Sequence, residues 1–576
     1  MQPCVMERVH KRQERMTDQS KLSAAAVNGL RSIRNVYGPD IERRKRELIA
    51  ALTARPPRAT KALNQMHEDL LFLRAFPGDV QTLNASVEAL EQIEKWFRKA
   101  PHAERATLDD SGVVGSMARH VFPYPIVRWL VEHVSGEVEF DWHDYDDETQ
   151  LDPVLRALAL ITELDGFDSG HYSTREWITI ARRHDMDTDL HWIIEALSAA
   201  SGLDADQLWT AAEPPIAWDL KGSRWSVTHN ALRTKPYVMR RTMRRPSPDP
   251  AHRIATPLKH IQTLAPQKAR KVIDVTRAAL TARCREVVSI SYANPAEVHW
   301  CDLGEGAALA IIGALPQFRM SIESNYGYLL LSNGVPIGYG GVTALYRQAN
   351  TGINIFDPFR GSEAAFLWVE MLRAFRTLFG TRRFIINGYQ FGEGNAEAIN
   401  SGAYWFYYRL GFRPTTPVQK KLAAREATRL ARPGAKRSTA ATLKALATGD
   451  LVLDLPGFED DDFFNEALLP QLGARAAGML AAQPVASRTA AERQIAKRLA
   501  ADLGVRSMKN WPAAERRAFT MLAPAVSIVP RLASWSSAER RGVVAMMRAK
   551  GHARESDFAC AASKNPRFFR ALVRAL

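Results

Sequence analysis

Cysteine is scarce in this chain, and long apolar runs are missing. Only four cysteines occur in 576 residues, and none of them lie close in sequence: Cys4, Cys284, Cys301 and Cys560. Neither a disulfide framework nor a cysteine zinc site is therefore expected, and a reducing cytoplasm is the default location. No uninterrupted apolar segment approaches the roughly 20 residues that a membrane-spanning helix needs, and the first ten residues lack the apolar core of an export signal. We expect a cytoplasmic protein with no membrane partner.

Length and hydrophobic content indicate a folded protein of several domains. Hydrophobic residues make up 46% of the 576 positions, which is normal for a globular protein. A single hydrophobic core stops growing at about 250–300 residues. Three or more domains are therefore expected.

Positive charge is in excess, and it is concentrated in two segments. The formal net charge is +15; residues 420–449 contain eight Lys or Arg against the single acid Glu426, and residues 233–245 contain six Lys or Arg and no acid. Residues 137–152 show the opposite pattern, with eight carboxylates and no Lys or Arg. The basic segments could bind nucleic acid or an acidic partner. Alternatively they are solvated linkers, or they face the acidic segment within the fold.

A histidine within the acidic segment raises the question of a metal site. His143 is surrounded by carboxylates, but the run lacks the regular spacing of metal ligands. A solvated acidic loop is the favoured interpretation, and no metal is expected.

Apolar spacing predicts a helical N-terminal part. Residues 87–97 repeat apolar side chains at helical intervals. Ser173 is followed three residues later by Glu176, a capping-box pattern that opens a further helix. We assign residues 1–230 to an α-helical domain and residues 231–284 to a basic linker and helix.

Strands are expected from about residue 285. Residues 286–292 and 298–303 have the composition of strands, and residues 306–315 that of a short helix. A β-hairpin is predicted over residues 326–346, because the Asn-Gly pair at its centre supplies the positive φ angles of a tight turn.

Helices and strands alternate after the hairpin. We predict a strand over residues 352–357, a helix with one apolar face over residues 364–379, and another strand over residues 383–387. Residues 400–410 are expected to form one amphipathic helix, which ends at Gly411.

This last helix and the residues after it carry a motif. Asn400, Ala403 and Tyr407 are spaced three and four residues apart, so they share a face of the predicted helix. Gly411 and Phe412 then lead into extended chain. Together these residues resemble the last motif of the GNAT superfamily of acyl-CoA-dependent N-acyltransferases.

The resemblance implies an α/β (α+β) fold. Residues 285–418 would form a GNAT-like domain with a mixed, mostly antiparallel sheet and helices on both faces. A basic linker or helix would follow at 419–450, and an α-helical domain at 451–576. Within the latter, Trp511 and Trp535 each precede a similar helix start, which indicates a helical pair.

The resemblance also implies an activity and a site. An acyl group, such as acetyl, would pass from acetyl-CoA or another acyl-CoA to an unidentified amine on a small molecule or a protein. Tyr407 would protonate the leaving thiolate, in a cleft between two splayed strands that admits the thioester tail. The residues implied to bind the pantetheine arm and the pyrophosphate are Ile355, Phe356, Arg360, Gly361, Ser362 and Asn400.

The pyrophosphate turn departs from the family pattern at one position. Counted from Arg360, the family has glycine where this chain has Glu363, whereas Ala365 matches. A carboxylate there repels phosphate. Glu363 could support the N-terminus of its helix, so that coenzyme A binding is weakened or absent, or it could be the base that deprotonates the incoming amine.

The same residues also allow a non-catalytic interpretation. Tyr407 belongs to a run of five aromatic residues, at least half of which must pack against the sheet. Asn400 could merely satisfy buried backbone groups. On this hypothesis the chain is a catalytically inactive GNAT-fold binding or scaffold protein that contacts nucleic acid through its basic segments.

Overall fold

A large, mostly antiparallel sheet and many helices form this mixed α/β chain. The computed structural model describes residues 23–57, 60–182, 188–222, 224–234, 236–458 and 467–576. Within those ranges no helix combines the length and the apolar character that crossing a membrane requires.

Twenty-five α-helices and thirteen strands lie in the described ranges. The helices are α1 (23–33), α2 (Pro39–Ala54), α3 (Thr60–Ala75), α4 (Val80–Lys99), α5 (His102–Ala106), α6 (Tyr124–Val134), α7 (Asp152–Leu158), α8 (Ile161–Asp168), α9 (Thr174–Ala181), α10 (Asp189–Ala199), α11 (Ala205–Ala212), α12 (Pro250–Ala255), α13 (Pro266–Thr281), α14 (Val288–Ser291), α15 (Ala364–Phe379), α16 (Ala396–Ser401), α17 (Ala403–Arg409), α18 (Pro417–Leu430), α19 (Ala440–Leu446), α20 (Leu468–Ala481), α21 (Arg488–Asp502), α22 (Ala513–Val526), α23 (Ser537–Ala549), α24 (Glu555–Ser563) and α25 (Pro566–Ala575). The strands are β1 (Met117–His120), β2 (Val138–Phe140), β3 (Ile216–Asp219), β4 (Ile261–Thr263), β5 (Ala293–Gly304), β6 (Ala307–Ala314), β7 (Ser324–Ser332), β8 (Val335–Leu345), β9 (Gln348–Thr351), β10 (Asn354–Ile355), β11 (Arg383–Ile386), β12 (Arg413–Pro414) and β13 (Leu451–Asp454).

The large sheet has ten strands. Its main path runs β12-β13-β11-β9-β8-β7-β6-β5-β4, and β10 pairs with β8 beside that path. Every pairing is antiparallel except β9 with β11. A separate three-stranded sheet, in the order β1-β3-β2, lies in the N-terminal part.

Several elements agree with the sequence predictions. The hairpin of β7 and β8 turns at Asn333 and Gly334, whose φ angles are 48° and 79°. The helix predicted over residues 364–379 is α15, and β11 covers most of the strand predicted over residues 383–387. The capping box at Ser173 is also confirmed.

Two predictions next to the hairpin are wrong. Residues 288–291 form the short helix α14 where a strand was expected, and residues 307–314 form strand β6 where a helix was expected. Strand β6 pairs with β5 on one side and β7 on the other, and all eight of its residues are buried. A continuous apolar run of this kind shows no periodicity that separates helix from strand.

The predicted helix over residues 400–410 is in fact two helices. Gly402, with φ 72°, ends α16 and begins α17. A left-handed residue interrupts the α-helical repeat, so Asn400 lies on a different helix from Ala403 and Tyr407.

The N-terminal helices and the large sheet share one hydrophobic core. Its buried side chains extend from Val27 in α1 to Leu455 after β13 and include Ala559 of α24. The segment 231–284 was expected to begin with a basic linker, but it contributes to this packing: α13 buries one face, and Arg240 is only 2% exposed. These residues therefore pack against the fold, and the division into a linker and a domain stays a prediction.

The C-terminal helices form a second core and are bonded to the sheet. Their buried side chains, between residues 472 and 572, pack together with Tyr346 at the end of β8. Glu297 of β5 accepts hydrogen bonds from the backbone N–H groups of Glu555 and Ser556 at the start of α24, both at 2.7 Å. The predicted packing of the two Trp-led helices is also seen, because α22 and α23 contact each other.

Candidate active site

The candidate site lies where the only parallel strand pair of the large sheet ends. Strands β9 and β11 pair as far as Asn350 and Ile385. Strand β9 ends one residue later, and pairing with β8 resumes only at β10. Gly352 and Ile353, between β9 and β10, lie outside both strands; we call these two residues the strand gap.

Two buried phenols face the backbone of the strand gap. The hydroxyl of Tyr328 donates to the carbonyl of Gly352. The phenolic oxygen of Tyr407 lies beside the backbone N–H of Ile353, which offsets part of the rise in the pKa of this phenol. Burial raises the pKa of both phenols above the ordinary value, so both carry their protons at neutral pH.

Tyr407 is held in place by aromatic packing. Its ring meets the edges of Trp368 at 5.4 Å and Phe412 at 6.0 Å between centroids. The first is on α15 and the second precedes β12, so helix α17 is fixed against both neighbours. The structure therefore places the predicted Tyr407 against the gap, with its oxygen directed at the sheet backbone.

Gln390 lies over the gap and was not singled out from the sequence. A Cβ atom built on Gly352 would lie 2.3 Å from the side-chain oxygen of Gln390. The half-buried Gln390 side chain therefore occupies the space directly above Gly352. Its position in the short turn between β11 and α16 gave no sequence signal for this role.

The predicted pantetheine residues lie just beyond the gap. Ile355 pairs with Gly338 in the β10–β8 ladder. The ring of Phe356 stacks on Tyr339 at 5.1 Å, and the guanidinium carbon of Arg283 lies 3.9 Å from the centre of the same ring. Burial lowers the pKa of Arg283 to about 9.

The predicted pyrophosphate turn is partly exposed and is bordered by arginines. Arg360 forms exposed ion pairs with Asp357, at 2.7 Å, and with Glu397. The guanidinium of Arg34 donates to the carbonyl of Arg360 at 2.9 Å. Gly361, with φ 82°, makes the turn.

Ser362 is the last residue of that turn. Its hydroxyl oxygen is buried and has no hydrogen-bond partner among the described residues.

Glu363 is buried and holds two arginines of the basic segment. It is 1% exposed. One carboxylate oxygen accepts from Arg244 Nε and Nη2, at 2.9 and 2.7 Å, and from Arg240 Nη2 at 3.3 Å; the other accepts from the backbone N–H of Arg244 at 3.0 Å. The Glu363 side chain makes no capping hydrogen bond to its own helix.

This geometry gives Glu363 a role that neither sequence interpretation included. Both oxygens are engaged by arginines, so the residue anchors the segment around Arg240 and Arg244 to the start of α15. The excess of positive charge in residues 233–245 could have predicted this role. A segment with so many arginines can pack inside the fold only if a buried carboxylate meets their charge.

Asn400 lies apart from the two phenols. Its side chain is exposed at the end of α16, and its backbone carbonyl accepts from Arg437 Nη2 at 3.1 Å. The structure thus brings together Tyr407, Gly352 and Ile353, but the break at Gly402 leaves Asn400 on the preceding helix, α16.

Two further searches, for a metal site in the described residues and for similar proteins, found nothing. In the part of the chain that the structure covers, no group of three or more His, Cys, Asp or Glu is arranged to hold a metal ion. Comparison with protein-family models, with curated proteins and with solved structures finds no match to this chain.

Proposed function

We propose that the chain is an N-acyltransferase of GNAT-like fold that moves an acyl group from acyl-CoA to an amine on a small molecule or a protein. The observation that carries the proposal is the position of the Tyr407 phenol beside the backbone N–H of Ile353. It puts the tyrosine implied by the family resemblance next to an interruption in the sheet beside a parallel strand pair. A thioester tail can pair with this strand edge once the side chains that cover it move aside.

The groups at the strand gap suit the chemistry of acyl transfer. The amine nitrogen forms a bond to the thioester carbonyl carbon, and the carbon–sulfur bond then breaks. The N–H of Ile353, which lies beside the phenol, can donate to the oxyanion that develops on the carbonyl oxygen. Tyr407 donates its proton to the departing sulfur and regains one that the amine loses.

Burial raises the pKa of Tyr407. Its phenol is therefore neutral before the reaction and holds the proton that the departing sulfur needs. The product is an amide and a free coenzyme A thiol, so protons and electrons balance without a further reactant.

The turn before α15 can accept a pyrophosphate despite its acid. The charge of Glu363 is met by two guanidinium groups, and its oxygens bond to them rather than to the helix N-terminus. Among the described residues, the guanidinium of Arg360 pairs with two exposed carboxylates. Exposed ion pairs of this kind contribute about 0–1 kcal/mol, so a phosphate can replace them.

Binding of acyl-CoA is the first expected result. Acetyl-CoA, or a longer acyl-CoA, should raise the melting temperature of the full-length protein, because a ligand that binds only the folded state stabilises it. Isothermal titration gives the affinity, and desulfo-coenzyme A is the matched probe without the thiol. Titrations that release no heat with acetyl-, propionyl- and palmitoyl-CoA would refute the proposal.

Removing the Gln390 side chain is expected to strengthen that binding. The amide oxygen of Gln390 lies over Gly352, so a thioester tail that enters the gap must displace it. Gln390→Ala should lower the Kd for acetyl-CoA by about tenfold, equal to about 1.4 kcal/mol. Gln262→Ala is the matched control, since Gln262 is an exposed residue of β4 at the opposite edge of the sheet. An unchanged or higher Kd for Gln390→Ala would show that this side chain does not obstruct the gap.

A catalytically inactive GNAT-fold binding protein is the second candidate. It is favoured by the same side chains, because two phenols and Gln390 together occupy the backbone groups and the space of the strand gap. The two candidates differ in one measurement. Failure of both the natural protein and Gln390→Ala to bind any acyl-CoA favours the inactive protein.

A further inference from the structure

The structure separates the two basic segments of the sequence. Arg240 and Arg244, in the segment 233–245, are used inside the fold by Glu363. The segment 420–449 instead forms the helices α18 and α19 and the loop between them. Seven of its cationic residues are exposed. Arg437 donates to the carbonyl of Asn400. We call the other six the basic surface: Lys420, Lys421, Arg425, Arg432, Lys436 and Lys444.

The basic surface has no carboxylate of its own to neutralise it. The single acid of the segment, Glu426, accepts from Arg429 at 2.8 Å and from Ser438, also at 2.8 Å. The hydrogen bond from Arg429 lowers the pKa of Glu426 to about 2. None of the six residues of the basic surface has an ion pair or a side-chain hydrogen bond within the described ranges.

The scaffold that carries these cations is tied together. Gln419 of α18 donates to Thr448 after α19 at 2.6 Å, and Arg429 of α18 donates to the carbonyl of Lys436 at 2.9 Å. Ser438 accepts from the indole N–H of Trp405 on α17 at 2.9 Å, which joins the loop to the rest of the fold. Six positive charges are therefore held at fixed places on one helical pair.

We infer that the basic surface binds the phosphate backbone of double-stranded DNA. Duplex DNA carries one negative charge for about every 1.7 Å of its axis. Lys420, Lys421 and Arg425 of α18 lie within about 7.5 Å along the helix axis at 1.5 Å per residue, so these three cations can meet neighbouring phosphates.

The composition of the two helices argues against single strands. Proteins that bind single strands stack the bases on aromatic side chains, and residues 417–446 contain no aromatic residue. Contacts to phosphate carry no sequence information, so the binding is independent of base sequence. This inference does not depend on acyl transfer.

The test is a titration of the full-length protein against a fluorescent 20-base-pair DNA duplex at several salt concentrations. The variant Lys420→Gln/Lys421→Gln/Arg425→Gln removes three charges from α18. It should weaken binding at least tenfold, and it should reduce the slope of log K against log salt by up to about 2.7, since each phosphate contact contributes about 0.9. Because the three side chains are exposed, the melting temperature should stay the same.

The matched control is Arg493→Gln/Lys497→Gln/Arg498→Gln on α21. These residues are also exposed and lack a bonded partner in the described ranges, and the change in net charge is the same. The control should bind DNA within twofold of the natural protein.

Three results would overturn the inference. The first is no binding at 50 mM salt, and the second is an equal loss of affinity in the control. The third is tighter binding of a single strand or of polyglutamate than of the duplex. Lys436→Gln/Lys444→Gln tests the other half of the surface independently and should also weaken duplex binding.

Discussion

Replacing Glu363 with alanine is expected to lower the free energy of unfolding by about 3–5 kcal/mol, which is the usual effect of removing one partner from a buried ion pair. Glu363 holds the guanidinium groups of Arg240 and Arg244, and Arg240 is almost fully buried. Without the carboxylate, two positive charges remain in the interior close to each other. Burial already lowers the pKa of Arg240, which shows the unfavourable desolvation that Glu363 offsets.

A second carboxylate on the same arginine provides the control. Glu305 pairs with Arg240 at 3.1 Å, but its side chain is 62% exposed. Glu305→Ala should therefore change the free energy of unfolding by less than about 1 kcal/mol. Urea denaturation of both variants measures the difference. If Glu363→Ala unfolds within 1 kcal/mol of the natural protein, the anchoring role assigned to Glu363 is wrong.

Replacing Tyr407 with phenylalanine is expected to lower acyl transfer by about 10²-fold or more, the usual effect of losing a general acid, while the affinity for acyl-CoA stays the same. The substitution keeps the ring that packs against Trp368 and Phe412 and removes only the hydroxyl. The departing sulfur then has no donor, and the oxygen beside the N–H of Ile353 is removed. The rate is measured as coenzyme A thiol released in the presence of an amine.

Tyr404 offers a matched control one helical turn earlier. It is also fully buried on α17, but its hydroxyl has no hydrogen-bond partner among the described residues. Tyr404→Phe should leave the rate unchanged and should not destabilise the fold, because no hydrogen bond is lost. Equal rates for the two variants would remove Tyr407 from the chemistry.

The sequence predicted two elements around the large sheet correctly, because a single residue pair or a regular spacing of apolar residues determines each of them. The Asn-Gly pair fixed the hairpin of β7 and β8, because few other residues adopt both positive φ angles. Helix α15 was predicted with its observed ends, since its apolar residues repeat at helical spacing and Gly380, with φ 77°, ends it.

Elements that depend on distant partners were not predictable in this way. Helix α14 forms although its residues favour strands, and Ile290 packs where a Cβ atom on Gly327 of β7 would lie, 2.5 Å away. Because Gly327 has no side chain, Ile290 of α14 can pack against β7 at this point. Nothing within residues 286–292 indicates this, because the decisive residue lies on another element.

Only part of the candidate site could be predicted, because several of its contacts join residues that are far apart in the chain. Tyr407 follows from a local motif, and the structure places its oxygen at the strand gap. The partners of Glu363 are 119 and 123 residues away in the chain, and only folding brings them together. The obstruction by Gln390 depends on how the turn after β11 folds back over Gly352, which the sequence does not specify.

The hydrogen bonds of Glu297 have a consequence for the order in which the protein is made. Its backbone partner Glu555 comes 258 residues later in the chain, so a ribosome completes β5 long before the N–H groups that this carboxylate needs exist. Until then this carboxylate, which is fully buried in the finished protein, has among the described residues only its longer ion pairs with His299 at 3.7 Å and Arg319 at 3.6 Å. Contacts of such long range also slow folding. The final assembly of the sheet is therefore coupled to the last stage of translation.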